Sequence, residues 1–175
     1  KKLVKRIRRK YIVRVLSRKE GEIKGDLLSY IDSKSATKKI DIVIHLAFSK
    51  NYPENIIMIK NLLMACKENK VKRKILISCM SAKRSFPDAY GKNKLIIEKL
   101  VKESGLDYTI LRPSIIYSKG CKSFDFIIEK IKKIPFFVPI VGSGLYKISP
   151  VHIADIIKII EQCIKNKKTL SQVPI

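Results

Sequence analysis

The chain has 175 residues, of which 46% are hydrophobic, so it suits one soluble domain with a buried core and excludes a disordered polymer. Its 38 Lys and Arg residues against 15 Asp and Glu give a net charge of +23, but the basic residues are spread along the chain, which disfavours nucleic-acid binding as the main role. No apolar run approaches the roughly 18 to 20 residues that cross a bilayer, so we expect no membrane span and a cytoplasmic protein.

The first predicted elements alternate between helix and strand. Apolar residues at helical spacing predict a helix over residues 1–9, and the β-branched run Tyr11–Leu16 predicts a buried strand. A short piece around Glu22–Lys24 follows, and residues 27–38 form a weak helix candidate. The apolar run Asp41–Ala47 then predicts a strand of the kind that is buried in a parallel sheet covered on both faces.

The same alternation continues through the middle of the chain. Pro53 opens a predicted helix over 53–68, and Lys74–Ser78 follows as a strand. A loop leads to a helix over Tyr90–Lys102, which Gly105 ends, and Tyr108–Leu111 forms the next strand. Short connections between alternating helices and strands predict an α/β fold with a doubly wound parallel sheet.

The last third of the chain has a different pattern. Residues 123–133 predict a helix, Ile134–Gly144 a loop with several Pro and Gly residues, and Val151–Ile164 a final helix opened by Pro150. We therefore divide the chain into a sheet region, 1–118, and a second segment, 119–175, whose final helix returns to the sheet.

A tyrosine and a lysine lie four residues apart at the start of the Tyr90–Lys102 helix. On a helix, Tyr90 and Lys94 share one face. An ammonium group beside a phenol favours the phenolate, lowers the pKa of the phenol and makes proton exchange with a substrate easier. The alternative is an exposed tyrosine above a solvated lysine.

Metal and disulfide chemistry have little support. The four cysteines lie far apart without a Cys-x-x-Cys pair, at Cys66, Cys79, Cys121 and Cys163. We expect them to be reduced and mostly buried thiols. With only two histidines in the chain, a metal site of the usual His-rich kind is not expected either.

The order of several short motifs resembles the short-chain dehydrogenase/reductase superfamily, in its extended and atypical branches. The motifs are Gly25-Asp26-Leu27, Asp41-x-Val43-Ile44-His45-Leu46-Ala47, Tyr90-x-x-x-Lys94, Leu111-Arg112-Pro113-Ser114 and Ser149-Pro150-Val151-His152-x-x-Asp155. Those branches include nucleotide-sugar epimerases and dehydratases, isoflavone-reductase-like enzymes and the nucleotide-binding subunit family of respiratory complex I. The resemblance implies a Rossmann-like fold and an NADP or NAD cofactor.

The resemblance also implies roles for individual residues. Tyr90 would be the general acid/base, and Lys94 would lower its pKa and hold the nicotinamide ribose. Ser78 or Ser81 would orient the substrate, although the expected position of that hydroxyl falls nearest Cys79 or Met80, so a packed strand end stays open as the alternative. The other residues expected to contact the cofactor are Ser17, Arg18, Asp26, Leu27, Leu46, Ala47, Pro113, Ser114, Ile115 and Ile116.

Four further residues are expected to be structural. His45 is interpreted as a hydrogen-bonded histidine near a strand end, with a catalytic role as the alternative. His152 and Asp155 are expected to order the loop and the final helix. Arg112 is expected to tether a carboxylate or a loop carbonyl.

The basic residues after the predicted Tyr11–Leu16 strand bear on the choice of cofactor. Arginine at this place suits the 2′-phosphate of NADP, whereas an acidic residue would bind the 2′-hydroxyl of NAD. The sequence here is Ser17-Arg18-Lys19, so we predict NADP over NAD, with an ordinary basic surface residue as the alternative.

The glycine-rich phosphate loop of this fold is missing. Its glycines let the backbone approach the pyrophosphate, yet the first glycine here is Gly21 and no glycine-rich loop is formed. The first strand is missing too, so we expect a chain that is truncated at its amino terminus and that, as given, binds a dinucleotide poorly or not at all, which leaves open whether it is active.

The leading functional hypothesis is an NAD(P)-dependent oxidoreductase, epimerase or dehydratase acting on a nucleotide sugar or a similar carbonyl or hydroxyl substrate by hydride transfer. The alternatives are a non-catalytic dinucleotide-binding or assembly protein, and a polyanion-binding protein that uses the basic cluster Lys5–Lys10. The segment Gly120–Gly144 is expected to line the substrate pocket. The resemblance also implies a homodimer through the 53–68 and 90–102 helices, with ordinary sheet-covering helices as the alternative.

Overall fold

The computed structural model describes residues 1–83, 85, 87–119, 125, 128, 129, 131–133 and 149–166. The chain begins with helix α1 (Lys2–Ile7), followed by the two-residue strands β1 (Leu16–Ser17) and β2 (Ile23–Lys24), which pair in parallel. Helix α2 (Tyr30–Thr37) comes next. It lacks a strong apolar face, and its amino end is fixed by the Ser29 side chain, which accepts a hydrogen bond from the backbone N–H of Asp32.

A parallel sheet of three strands forms the centre of the fold. Along the chain come strand β3 (Ile42–His45), helix α3 (Tyr52–Glu68), strand β4 (Arg73–Ile77), helix α4 (Ala89–Lys102) and strand β5 (Asp107–Leu111), and the strand order is β3-β4-β5. Each strand is joined to the next by a crossover helix, as a parallel sheet requires. The prediction of an α/β fold with a parallel sheet is confirmed.

Two further short strands precede the last helix. Strand β6 (Ile116–Tyr117) pairs in parallel with strand β7 (Val151–His152), and helix α5 (Ile153–Lys165) follows directly. The predicted final helix over Val151–Ile164 is therefore wrong at its start. Val151 and His152 pair as a strand instead, and the His152 side chain accepts a hydrogen bond from the N–H of Ala154 and caps α5.

Helices cover both faces of the sheet. On one face, α3 and α4 pack on β4 and β5 through Ile59, Leu63, Leu76, Ile97, Val101 and Ile110. On the other face, α5 packs through Ile75, Leu111, Ile156, Ile160 and Cys163. Burial of these side chains provides the main stabilisation of the fold, and the packed helices hold the ends of the central strands in place.

The predicted buried strand Tyr11–Leu16 is wrong. Only Leu16 and Ser17 pair with another strand, and Ile12 is 100% exposed. A β-branched run becomes a buried strand only when neighbouring strands satisfy its backbone and helices cover its faces. Among the described residues, no strand of the central sheet lies beside this run.

Three of the predicted buried thiols are confirmed, because Cys66, Cys79 and Cys163 are buried and free. Cys121 and nearly all of the predicted substrate-lining segment 120–144, including Phe124, Phe126, Phe136 and Phe137, lie outside the described residues. The domain division at residue 118 stays a prediction. Among the helices described, none has the length and apolar character needed to cross a membrane.

Candidate functional site

The candidate site lies where the three central strands end. The segments that follow β3, β4 and β5 begin at Leu46, Ser78 and Arg112. Because the strands are parallel, all three segments meet at one edge of the sheet, which is where ligands bind in open α/β sheets. The amino end of α4, with Tyr90, faces the same edge through its packing on the 3₁₀ turn Met80–Lys83.

Local capping places Tyr90 in the first turn of α4. The Asp88 side chain accepts a hydrogen bond from the N–H of Gly91 at 2.7 Å and starts the helix there. A Cβ added at Gly91 would lie 2.8 Å from the backbone carbonyl oxygen of Ser81. The glycine therefore permits close packing between α4 and the 3₁₀ turn, and this packing sets the position of Tyr90.

Lys94 lies one turn further along α4 and is almost completely buried, with 5% of its surface exposed. Its Nζ donates a hydrogen bond to the carbonyl oxygen of Ile77 at 3.1 Å and lies 5.6 Å from the centre of the Tyr90 ring. Burial lowers the pKa of Lys94, and the nearby Cys79 and Glu98 oppose that shift. The structure therefore brings the predicted Tyr–Lys pair together.

The pKa of Tyr90 moves in the direction opposite to the one that the sequence predicted. It is raised, first by burial of the half-buried phenol and then by Cys79, Asp88 and Tyr52. The ammonium of Lys94 binds the Ile77 carbonyl at the end of β4, so its effect on the phenol is small compared with the loss of solvent. Tyr90 is thus a protonated phenol at neutral pH, the form that can donate a proton.

An aromatic residue that the sequence analysis did not single out completes this pair. The Phe48 ring meets the edge of the Tyr90 ring at a centre distance of 5.0 Å, and Lys94 Nζ lies 5.1 Å from the centre of the Phe48 ring. The next residue is held by Asn55, whose side-chain amide bonds both the N–H of Ser49, at 2.7 Å, and its carbonyl oxygen, at 2.8 Å. The only sequence signal for this role was an aromatic residue directly after Ala47, the last residue of the predicted strand.

A pocket lies beside Phe48, between the end of β1 and the end of β3. Among its lining are five of the predicted cofactor residues, Ser17, Arg18, Asp26, Leu27 and Ala47. Arg18 Nη1 lies 3.8 Å from Asp26 Oδ2, and both side chains are partly exposed. Asp26 Oδ1 also accepts a hydrogen bond from the N–H of Leu28 at 3.0 Å, which holds the turn before α2.

The remaining predicted cofactor residues lie outside this pocket. Leu46 is exposed. Two backbone hydrogen bonds hold the loop that contains Pro113, Ser114, Ile115 and Ile116. The N–H of Met80 donates to the carbonyl oxygen of Pro113 at 3.1 Å, and the N–H of Val151 donates to the carbonyl oxygen of Ile115 at 2.9 Å. This loop therefore lies against the same 3₁₀ turn that contacts α4.

The two candidate serines differ in environment. The Oγ of Ser78 is buried and has no hydrogen-bond partner among the described residues, whereas Ser81 lies in the 3₁₀ turn and is partly exposed. Between them, burial raises the pKa of Cys79, and the backbone N–H groups of Ala82 and Ser81 oppose the shift. Cys79, one of the two positions nearest to the expected hydroxyl, is therefore a protonated thiol.

The neighbouring polar residues are mainly structural. His45 is buried, and its pKa is lowered well below the usual value by burial and then by Lys74 and Lys94, so it is neutral at physiological pH. Arg112 bonds both carboxylate oxygens of Glu98, at 2.9 and 2.6 Å, and thereby ties the end of β5 to α4. The predicted tether through Arg112 is confirmed.

Solved structures with the same fold are known. MoeE5 in complex with UDP-glucuronic acid and NAD superposes with a TM-score of 0.80 at 23% identity, over 98% of this chain and 70% of that chain. UDP-N-acetylglucosamine 4-epimerase from Bacillus cereus gives 0.78 at 21% identity, over 98% and 69%. NADPH-dependent quinone oxidoreductase QOR2 from Escherichia coli, complexed with NADPH, gives 0.72 at 20% identity, over 87% and 51%.

The chain thus spans about half to seven-tenths of the length of these structures, and the likeness at this level of identity concerns the fold. No curated protein matches the sequence. A protein-family model described as NAD(P)H-binding matches residues 7–133, which is more than half of the chain and includes β1 to β6, the pocket and the Tyr90–Lys94 pair. The chain belongs to this NAD(P)H-binding family, and its cofactor is NAD(P).

Proposed function

We propose that the chain is part of an NAD(P)-dependent oxidoreductase, epimerase or dehydratase, and that Tyr90 exchanges a proton with a carbonyl or hydroxyl group of the substrate. The observation that carries the proposal is the placement of Tyr90 and Lys94, at the carboxyl edge of the central parallel sheet, beside a pocket lined by Arg18 and Asp26, which follow the parallel strands β1 and β2. A dinucleotide is long enough to reach from that pocket to Lys94.

The residues present fit the cofactor. The Lys94 ammonium is held in place by the Ile77 carbonyl and can donate further hydrogen bonds to ribose hydroxyls. The nicotinamide ring supplies or accepts the hydride. Tyr90 supplies or accepts the matching proton at the substrate oxygen, and its raised pKa keeps that proton available at neutral pH. Lys94 Nζ, 5.6 Å from the centre of the Tyr90 ring, adds a smaller attraction to the phenolate that remains after donation.

A nucleotide sugar is the proposed substrate class. MoeE5 was solved with UDP-glucuronic acid and NAD, and in a second structure with UDP-glucose and NAD, while another fold neighbour is a UDP-N-acetylglucosamine 4-epimerase. The high positive charge of the chain would favour a substrate that carries a diphosphate. The second choice is a carbonyl substrate without a nucleotide. The name of the fold neighbour QOR2, a quinone oxidoreductase, indicates such a substrate for that protein.

Replacing Tyr90 by Phe is expected to lower turnover by about 10²–10⁴-fold, because general acid/base catalysis contributes that much. The substitution removes only the hydroxyl and leaves the ring contact with Phe48 in place. The assay follows nicotinamide absorbance, or the sugar product by chromatography, over a panel of UDP-sugars. Full turnover by Tyr90→Phe would remove Tyr90 from the mechanism.

Cofactor choice is proposed to depend on Arg18. Replacing Arg18 by Ser is expected to weaken NADPH binding about 5- to 30-fold while changing NADH binding little, because a charge-assisted bond to the 2′-phosphate is lost. The exposed Lys19 offers a matched control, and Lys19→Ser should change both affinities by less than about twofold. Equal losses for the two cofactors would contradict a role in 2′-phosphate binding.

A non-catalytic dinucleotide-binding protein is the second candidate. The observation that favours it is Cys79, a buried thiol with a raised pKa at one of the two positions nearest to the expected substrate-binding hydroxyl. Cofactor binding without turnover on any UDP-sugar or quinone tested would support this candidate. Polyanion binding through the cluster Lys5–Lys10, a homodimer through α3 and α4, and a cytoplasmic location all stay predictions.

A further inference from the structure

The predicted cofactor residues form two groups, and one side chain lies between them. Ser17, Arg18, Asp26, Leu27 and Ala47 line the pocket, whereas Tyr90 and Lys94 do not. Phe48 belongs to both groups, since it lines the pocket and also touches the Tyr–Lys pair. A single molecule that contacts both groups would therefore lie beside the Phe48 ring.

The Phe48 ring covers the ammonium of Lys94. Nζ lies 5.1 Å from its centre and is within the distance at which a cation and a ring attract each other. The centre of the Tyr90 ring lies 5.6 Å from the same Nζ, and the Tyr90 and Phe48 rings contact each other in a T-shaped arrangement. The carbonyl oxygen of Ile77 accepts one of the three N–H bonds of this ammonium. Lys94 is only 5% exposed, so little of this ammonium is open to a ligand, and Phe48 is the nearer of the two rings beside it.

We propose that Phe48 is a gate that separates the pocket from the Tyr90–Lys94 pair, and that it must rotate away before a ligand held in the pocket can bind Lys94. The inference rests on the proposed function, because the ligand in question is NADPH or NADH. It makes Phe48 a positioning residue for the cofactor, acting through Lys94.

The surroundings allow the ring to move while the backbone stays fixed. Phe48 is 39% exposed, so part of this residue already faces solvent. Its neighbour Ser49 is clamped at both backbone groups by Asn55, and Asn93 of α4 donates a hydrogen bond to the Tyr52 carbonyl oxygen at 3.0 Å. Rotation about the side-chain torsions to another staggered rotamer is therefore the simplest opening motion.

The gate predicts a measurable change in the reactivity of Lys94 without any cofactor. With an amine-acylating reagent at limiting concentration, followed by peptide mass spectrometry, Lys94 in Phe48→Ala should react about fivefold or more faster than in the wild type. The exposed lysines of the same samples serve as internal standards. Phe48→Leu, which keeps bulk but removes the aromatic ring, should lie between the two. Ile57→Ala, which removes an exposed side chain of α3 outside the pocket lining, should leave the Lys94 rate unchanged.

The gate also predicts the direction of change in cofactor affinity. Because a closed gate reduces the apparent affinity by the fraction of open molecules, Phe48→Ala should bind NADPH about 2- to 10-fold more tightly than the wild type. If the ring instead packs on bound cofactor, the same substitution weakens binding. A weaker or equal affinity in Phe48→Ala would overturn the gate, and so would an unchanged Lys94 reaction rate.

The two readouts separate the gate from the proposed function. Wild-type binding of NADPH together with an unchanged Lys94 rate would reject the gate and leave the function in place. A faster Lys94 reaction with no binding of NADPH or NADH by either protein would reject the function, and with it the assignment of Phe48 as a cofactor gate. Faster labelling together with tighter binding is the expected result.

Discussion

Replacing Arg112 by Ala is expected to lower the free energy of unfolding by about 3–5 kcal/mol. The side chain of Glu98 is 1% exposed, and Arg112 bonds both of its carboxylate oxygens. Removing the guanidinium leaves a carboxylate buried in α4 without its cation, and burial of an uncompensated charge is costly. Urea unfolding followed by circular dichroism measures the loss.

The matched control removes both partners of this ion pair. The double variant Glu98→Leu, Arg112→Met replaces the buried pair with apolar side chains of similar size, and it should unfold within about 1 kcal/mol of the wild type. If Arg112→Ala itself costs less than about 1 kcal/mol, the bidentate bond is not important for stability and α4 is held to β5 by apolar packing alone.

Replacing Lys74 by Met is expected to stabilise the protein by about 2–4 kcal/mol near pH 6. Lys74 lies in β4 with none of its surface exposed, and its Nζ has no hydrogen-bond partner among the described residues. Burial lowers the pKa of Lys74 from 10.5 to about 7, and Cys66 opposes the shift weakly. The thioether of Met fills similar volume without a charge to desolvate.

The gain should depend on pH in a defined direction. The unfolded chain protonates Lys74 below about pH 10.5, whereas the folded protein does so only below about pH 7. The cost of the lysine is therefore complete below pH 7 and decreases as the pH rises towards 10.5. Urea unfolding at about pH 6, 8 and 10 tests this, with the exposed Lys60→Met as control. A pH-independent gain, or a loss, would contradict the buried ammonium.

The central elements were predictable because their signals are local. Asp41–Ala47 and Lys74–Ser78 are apolar runs, Pro53 lies in the first turn of α3, and Gly105 follows the end of α4 with a positive φ. The structure moves the ends of these elements by one or two residues only. The Tyr90–Lys94 pair was predictable for the same reason, because helical spacing alone puts both side chains on one face.

The errors concern contacts between distant parts of the chain. Tyr11–Leu16 has the composition of a buried strand, but burial depends on neighbours that its own sequence does not specify. Val151 extends as a strand because Ile116, 35 positions earlier by their numbering, pairs with it. The rise in the pKa of Tyr90 and the cover of Lys94 by Phe48 both depend on how the β3 and β4 ends meet α4. Spacing within one helix carries no such information.

The most direct test of the account is a fluorescence titration of NADPH and NADH into the protein and into Lys94→Met. This substitution keeps the side-chain length and removes a buried ammonium, so the fold should persist. Because residues 7–133 match the NAD(P)H-binding family, we expect saturable binding by the wild type, against the weak binding that the missing glycine loop predicts. Lys94→Met should bind about 10- to 100-fold more weakly, because a charge-assisted bond to the ribose is lost. Equal binding by the two proteins, or no saturable binding of either nucleotide by the wild type, would contradict the account.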